Sequence, residues 1–440
     1  VPNLKATVKS VWSIQPGGLC VLVALVAIAV GLADVAAATP RAAERTESTR
    51  VSSGARGIVS PVDPEGLSGR VLCGYQGWFA AEGDGAGIGW RHWKRGKPSE
   101  NQLTIDMLPD VSEIDPEDRF PLGIKDADGN PVEVFSSYLE ATVRLHFQWM
   151  REYGIDGVFV QRFAEPLGSP REKAFHDTVL QHCRNAAKAE GRVYTVMYDL
   201  TGLEAGAVKN VLDDWRELRD TGVGTDKASL RIGGRPLVAI WGIGFAKDRD
   251  YSLEECRDLV TALRDDGCSL LLGVPTGWRA GNRDASPDPL LREIVASADA
   301  ISPWTVGRYR TLDEVSDHAN AAWAADLDWC QQRGVEYLPV IFPGFSWKNL
   351  KGGSLNQIPR LRGKFFQRQI NEAIRLGSRS LYVAMFDECD EGTAIFKCAE
   401  PPRGLKDRFV GLEGLPSDHY LKITGAAQRR LQVKEKFRSK

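Results

Sequence analysis

The segment MFDECDEGTAIFK, residues 385–397, places four carboxylates within five positions, Asp387, Glu388, Asp390 and Glu391, directly after the apolar run SLYVAM. Acid clusters ordinarily belong on solvated loops, so one that closes a buried strand calls for a chemical reason. Breaking a glycosidic C–O bond needs two carboxyl groups, one protonated to release the leaving oxygen and one ionised to generate the attacking species. Glu388 and Glu391 can supply both from one turn of chain. The charges of Asp387 and Asp390 beside them favour one carboxyl staying protonated near neutral pH. Two other readings of the cluster stay open. Closely spaced carboxylates suit Ca²⁺, although the EF-hand pattern with its twelfth-position Glu is absent, and an acidic loop can simply be solvated. Upstream, DADGN at 126–130 reads as a hairpin turn through Asp128 and Gly129.

Such a pair must be held in place by the rest of the chain. From Val71 onward, short runs rich in β-branched and aromatic residues alternate with longer amphipathic ones. The strand-like runs are VLCGYQGWF from Val71, GVFVQRF from Gly157, VYTVMYDL from Val193, PLVAIWGIG from Pro236, SLLLGVP from Ser269, AISPWTV from Ala300, YLPVIFPGF from Tyr337 and SLYVAMFDE from Ser380. Helical stretches between them end at Gly154, Gly191, Gly267, Gly334 and Gly377, the residue type that terminates helices. Eight such units imply a (β/α)8 TIM barrel. A doubly wound sheet is the competing arrangement, but no G-x-G-x-x-G follows the first strand. The surplus length falls after the first strand, where residues 80–135 carry AEGDGAGIGWRHWKRGK. A long insertion there lies on the face where barrel strands end, the catalytic face of such folds.

Strand ends in a barrel share one cleft and are read as a set. That set contains Tyr75 and Trp78 from the first strand, Arg162 from the second, Tyr198 and Asp199 from the third, Trp241, Trp278, Trp304 and Trp347 from the next four, and Asp387 with Glu388 from the eighth. Trp90, His92 and Trp93 lie in the long first loop. Any one of these tryptophans is equally compatible with core packing. Together, flat aromatic rings among carboxylates and arginine suit a carbohydrate, whose C–H faces stack and whose hydroxyls need polar partners. His146, His176 and His182 fall on helical stretches and read as packing or surface residues. No H-E-x-x-H, G-x-S-x-G or Walker motif occurs.

With 43% hydrophobic and 26% charged residues among 440, the composition is that of an ordinary globular chain. A formal charge of -2 and a pI near 6.4 leave no footprint for nucleic acid. Lys5 and Lys9 precede the apolar run GLCVLVALVAIAVGLA, which Ala36, Ala37 and Ala38 follow. This pattern predicts a signal peptide over 1–38 and export to a periplasmic or extracellular location, with an uncleaved membrane anchor as the alternative and no other membrane segment. Residues 39–68 read as a linker and 69–440 as the barrel. Cleavage leaves seven of the eight cysteines, an odd number without any C-x-x-C, so one disulfide is compatible with the sequence but no pairing is assigned.

DECDEGTAIF resembles the NEWHEGTxIE signature that ends the last barrel strand in glycoside hydrolase family 99, the endo-α-mannosidase and endo-mannanase family related to the family 71 α-1,3-glucanases. GYQGWF, WRHW, GIDGVFVQRF and LPVIFPGFSW resemble further segments of that group. DMLPDVSE and FSSYLEATVRLHFQWMREYGIDGVF look most like secreted bacterial members of a broader 71/99-like group often labelled xylosidase/arabinosidase. The resemblance spans residues 71 to about 425. It implies a glycoside hydrolase acting on a carbohydrate substrate, at an α-linkage and without a cofactor. By this resemblance Glu391 is the general acid, and Glu388 assists the sugar's own 2-hydroxyl to attack the anomeric carbon. His92 and Trp93 match substrate contacts, and Asp199 stands where the family often has Glu. Asp387, Cys389 and Asp390 depart from the family's Asn, Trp and His, so the subsite they build differs and mannose specificity does not follow. A barrel that binds glycans without cleaving them, or a metal-dependent hydrolase using the acid cluster, are the competing functional classes.

Overall fold

In the computed structural model, residues 60–95 and 103–438 are described; the expected export signal and residues 39–59 of the expected linker lie outside them. Eight parallel strands form the central sheet: β1 (Arg70–Tyr75), β2 (Gly157–Phe163), β3 (Val193–Asp199), β4 (Arg235–Trp241), β5 (Ser269–Val274), β6 (Ala300–Pro303), β7 (336–341) and β8 (Ser380–Val383). Each pairs with its sequence neighbour, and β1 pairs with β8 from Arg70↔Ser380 to Cys73↔Val383. The ring closes through β7, which Leu338–Pro339 divides. Its first half, Glu336–Tyr337, pairs with β6, and its second half, Val340–Ile341, pairs with β8. Proline lacks the N–H a ladder needs, so the division falls there, yet Leu338 N still donates to Ile301 O and Tyr382 N to Pro339 O. The (β/α)8 barrel expected from the pattern is therefore present.

The strands are apolar on both faces, as a parallel sheet wrapped by helices requires; every residue of β5 is buried. Helices α1 (Glu140–Tyr153), α2 (Pro170–Glu190), α3 (Lys209–Asp220), α4 (Leu253–Asp265), α5 (Leu290–Ala296), α6 (312–333), α7 (Lys364–Leu376) and α8 (His419–Arg438) follow the strands in turn. Gly154, Gly191, Gly334 and Gly377 end α1, α2, α6 and α7 in the left-handed conformation, as the sequence predicts. The stretch read as one helix in α6 is interrupted by a π turn at Ala319–Trp323.

Between β1 and α1 the insertion forms an antiparallel hairpin, Phe120–Lys125 against Pro131–Val134. Its turn is closed by Asp126, which accepts from Asp128 N and Asn130 N, with Gly129 at φ 87°. Leu108–Pro109 pairs with Cys398–Ala399, so the insertion is laced to the chain just beyond the acid segment. At the opposite end of the barrel, Val62 N donates to Gly191 O and Gly66 N to Arg231 O. Residues 60–68, read as linker, thus hydrogen-bond to the barrel. The seven described cysteines are all buried free thiols. Among the described residues no helix is long and apolar enough to cross a membrane.

Candidate active site

The acid segment does not continue β8 as the sequence reading has it. The strand ends at Val383, Ala384 N reaches back to Ile341 O and Phe386 N to Gly74 O, and the chain then turns. Thr393 N and Ala394 N both donate to Glu388 O, and Ile395 N returns to Met385 O, closing a loop that carries all four carboxylates. Buried Arg360 clamps it from behind, its Nη2 donating to Gly392 O at 2.8 Å and Ala394 O at 2.7 Å. The loop is therefore held from β1, β7 and Arg360 before any ligand arrives.

Asp387 is wholly buried and accepts Gln76 N at 2.7 Å and Gly77 N at 2.9 Å. Gly77 has φ 59°, and a Cβ there would sit 2.8 Å from Val179 Cγ1, so glycine permits this two-amide cradle. Burial nevertheless pushes Asp387 up to about 7. Glu388 accepts Gln76 Nε2 at 2.5 Å on one oxygen and the Thr393 hydroxyl on the other. Burial, then Glu391 and Asp390, raise it well above the usual carboxylate range. Glu391 keeps part of its surface open and is pushed up to about 7 by desolvation and then by Asp390; the Trp347 indole and Lys351 oppose that rise. Asp390 is buried, with Oδ2 2.9 Å from His92 Nδ1 and Oδ1 without a partner.

His92 takes φ 60°, unusual for a residue with a side chain, and its ring stacks on Trp78 at 3.7 Å, with Trp78 in turn 5.0 Å from Phe163. Asp199 ends β3 in register with Trp241 and is raised by burial. Trp241 packs edge-on to Trp304 at 5.4 Å and against Phe245 at 4.9 Å. Five buried polar atoms in this neighbourhood lack a protein partner: Gln76 Oε1, Asp390 Oδ1, Arg249 Nε and the indole nitrogens of Trp78 and Trp241.

The structure thus links Trp78, His92, Asp199, Trp241, Trp304, Trp347, Asp387, Glu388 and Glu391 through contacts at one end of the barrel. Four residues expected in that set are engaged in packing instead. Tyr75 is buried with its hydroxyl 2.9 Å from His146 Nδ1, and Trp93 lies between Phe79 and Phe135 with its N–H on Phe135 O at 2.8 Å. Trp278 donates to Asp326 at 3.2 Å and packs on Trp329. Arg162 is buried and clasped by Asp214 at 2.6 and 2.5 Å and by Asp177 at 2.6 Å, which commits its Nε and Nη2 to carboxylates of the fold. Conversely, Gln76 and Thr393, the two side chains bonded to Glu388, were not singled out from sequence. Both lie inside the quoted segments GYQGWF and DECDEGTAIF. Among the described residues no group of three or more His, Cys, Asp and Glu side chains is arranged to hold a metal ion.

A closed eight-stranded ring with a carboxylate-centred loop at its strand ends defines a (β/α)8 barrel protein. No protein-family model and no curated protein sequence matches the chain. Among solved structures it is similar to the GH99 endo-alpha-mannosidase from Bacteroides thetaiotaomicron in complex with Bis-Tris-propane, with a TM-score of 0.61 and 16% identity over 84% of this chain and 100% of that one. A second structure of that enzyme gives a TM-score of 0.60 at 16% identity, covering 84% and 99%. A glycoside hydrolase-like protein gives 0.52 at 13% identity, covering 84% and 96%. At such identities the likeness establishes the fold.

Proposed function

We propose that the protein is a glycoside hydrolase that cleaves an α-linked bond in a polysaccharide or glycan without a cofactor, Glu391 serving as the acid and Glu388 as its carboxylate partner. The observation that carries this reading is the electrostatically linked pair itself: two carboxyls raised by burial and by neighbouring negative charge, at the strand ends of a closed barrel. Two negative charges so placed favour sharing one proton. Gln76 Nε2 can only donate and the Thr393 hydroxyl donates to the other oxygen, so both bonds favour the ionised form of Glu388 against the burial that raises it. Glu391 is raised to about 7 by desolvation and by Asp390, and on this reading it holds the proton.

On this reading Glu391 gives its proton to the leaving oxygen as the C–O bond breaks. Glu388 takes the proton of the sugar's 2-hydroxyl, whose oxygen closes on the anomeric carbon. Water then opens the anhydro-sugar, losing a proton to Glu391 while Glu388 returns one to the 2-oxygen. The unpartnered indoles of Trp78 and Trp241 and the unpartnered Asp390 and Gln76 oxygens support a ligand rich in both hydroxyl donors and acceptors. The α-linkage is supported by the structural neighbour named as an endo-alpha-mannosidase. Export is supported by the Lys-flanked apolar sequence of residues 1–38.

The test is a screen of plant, algal and fungal glycans for newly released reducing ends, run with Glu388→Gln and Glu391→Gln beside the parent protein. Release by the parent and its loss in both variants is expected. Undiminished release in both would remove the assignment.

A further inference from the structure

The loop after β4 carries a cation that the proposed hydrolysis does not use. Arg249 lies with its guanidinium carbon 5.4 Å above the Trp241 ring and 5.1 Å above Phe245, within cation–π range of both. Its Nη1 donates to the neighbouring Asp248 O at 2.7 Å, and its Nε is buried without a partner. Among the described residues Arg249 forms no ion pair, whereas Arg162 is clasped by two aspartates. Arg249 also borders a cavity of about 310 Å³ with Phe245, Lys247 and Tyr251. That volume is at the lower end of small-molecule sites and holds roughly one sugar unit.

The orphaned groups have one sign. Arg249 Nε and Trp241 Nε1 are both donors, and both are buried without an acceptor. The carboxylates that share the cavity wall, Asp248, Glu254 and Asp288, are exposed to solvent, where their charges are screened. Asp199, at the end of β3 beside Trp241, is the inward acid that faces Arg249. It is bonded to Thr201 N at 2.8 Å. A half-buried guanidinium over two aromatic rings, with its Nε and the neighbouring Trp241 Nε1 both lacking an acceptor, suits a ligand acceptor that carries charge.

We propose that Arg249 and Trp241 form a subsite for a sugar unit bearing an anionic substituent, a carboxylate or a sulfate ester, and so set the protein's preference for acidic over neutral glycans. The inference rests on the glycan-active reading above and adds the substrate class. Charge, not ring stereochemistry, is what this subsite reads. Trp241, buttressed edge-on by Trp304, holds Arg249 over its ring and offers its own N–H, and Arg249 takes the anion.

The experiment measures direct binding, with no turnover needed, to two matched pairs: an oligouronide and its carboxyl-reduced counterpart, and a sulfated oligosaccharide and its desulfated counterpart. The full chain is compared with Arg249→Gln and Arg249→Lys, each checked by its thermal melt. One charge-assisted hydrogen bond predicts a roughly tenfold preference for the acidic member of at least one pair, weakening as salt is added. The pair that shows it identifies the substituent. Arg249→Gln should bring the ratio near one, and Arg249→Lys should keep part of it. A ratio near one in the parent protein, or a ratio untouched in folded Arg249→Gln, overturns the proposal. Preferential binding without any released reducing ends would uphold the subsite while sinking the hydrolase reading, so the two fail separately.

Discussion

Gln76 donates its side-chain amide to Glu388 at 2.5 Å, tying the end of the first barrel strand to the loop after the eighth across 312 positions of sequence. The bond is more than a tether. An amide nitrogen cannot accept, so it stabilises the ionised carboxylate and opposes the burial that raises Glu388. Replacing Gln76 with Ala removes that opposition, and the affinity of Glu388 for its proton rises. The acid limb of the pH–rate profile is expected to move to higher pH, with kcat/KM at neutral pH down by about tenfold or more. An unmoved acid limb would show that Gln76 only packs.

Glu391 carries the second expectation. With its carboxyl raised to about 7, the protonated form needed by a general acid declines as pH rises through that value, so activity should fall on the alkaline side from about pH 7. Glu391→Gln should lower kcat about 10²- to 10⁴-fold on a natural glycan and remove this limb. A substrate with a nitrophenol leaving group, which departs without protonation, should lose far less. Equal losses on both substrates would place Glu391 in another role.

The eight strands were legible because each is a short apolar run between helical stretches, and a parallel sheet buried on both faces demands that pattern. The acid loop was legible for the opposite reason, since four carboxylates cannot follow a buried strand without a purpose. What sequence hid was direction. Trp93 and Trp278 have the same composition-level signature as Trp78 and Trp241, and whether an indole meets a ligand or Phe135 depends on where a distant element crosses it. Arg162 reads as a free strand-end cation until Asp214, 52 positions later, closes on it. Gln76 was invisible because its partner lies at the other end of the chain.

Asp390 offers a test that leaves both proposed reacting carboxyls in place. Its negative charge raises Glu388 and Glu391, while its own carboxylate is anchored by His92 at 2.9 Å. Asp390→Asn keeps the shape, removes the charge, and should lower the proton affinity of both glutamates. The alkaline limb of activity is then expected to shift to lower pH, opposite in direction to the acid-limb shift in Gln76→Ala. Profiles of the two variants measured side by side would check the pair, and a shift of both in the same direction would contradict the electrostatic assignment.

The barrel's own stability should depend on pH through carboxyls remote from the proposed chemistry. Asp156 is buried between Val71 N, at 2.8 Å, and Gln428 Nε2, at 3.2 Å, and is raised to about 6 chiefly by desolvation; Asp326, buried beside Trp278 and Arg279, is likewise raised to about 6. In the unfolded chain both titrate near 3.8, so between about pH 4 and 6 the folded state holds more protons than the unfolded one. Their favourable contribution is therefore complete below the unfolded value and is lost as pH rises through the folded value. Each group accounts for an amount on the order of 1–3 kcal/mol across that window. The thermal midpoint is expected to fall by a few degrees between pH 5 and pH 8, and Asp156→Asn should flatten part of that slope even where it lowers the midpoint itself. A midpoint that climbs steadily from pH 5 to pH 8 would mean that these carboxyls are ionised in the fold, held by Arg70, Arg192 and Arg279 against the cost of burial.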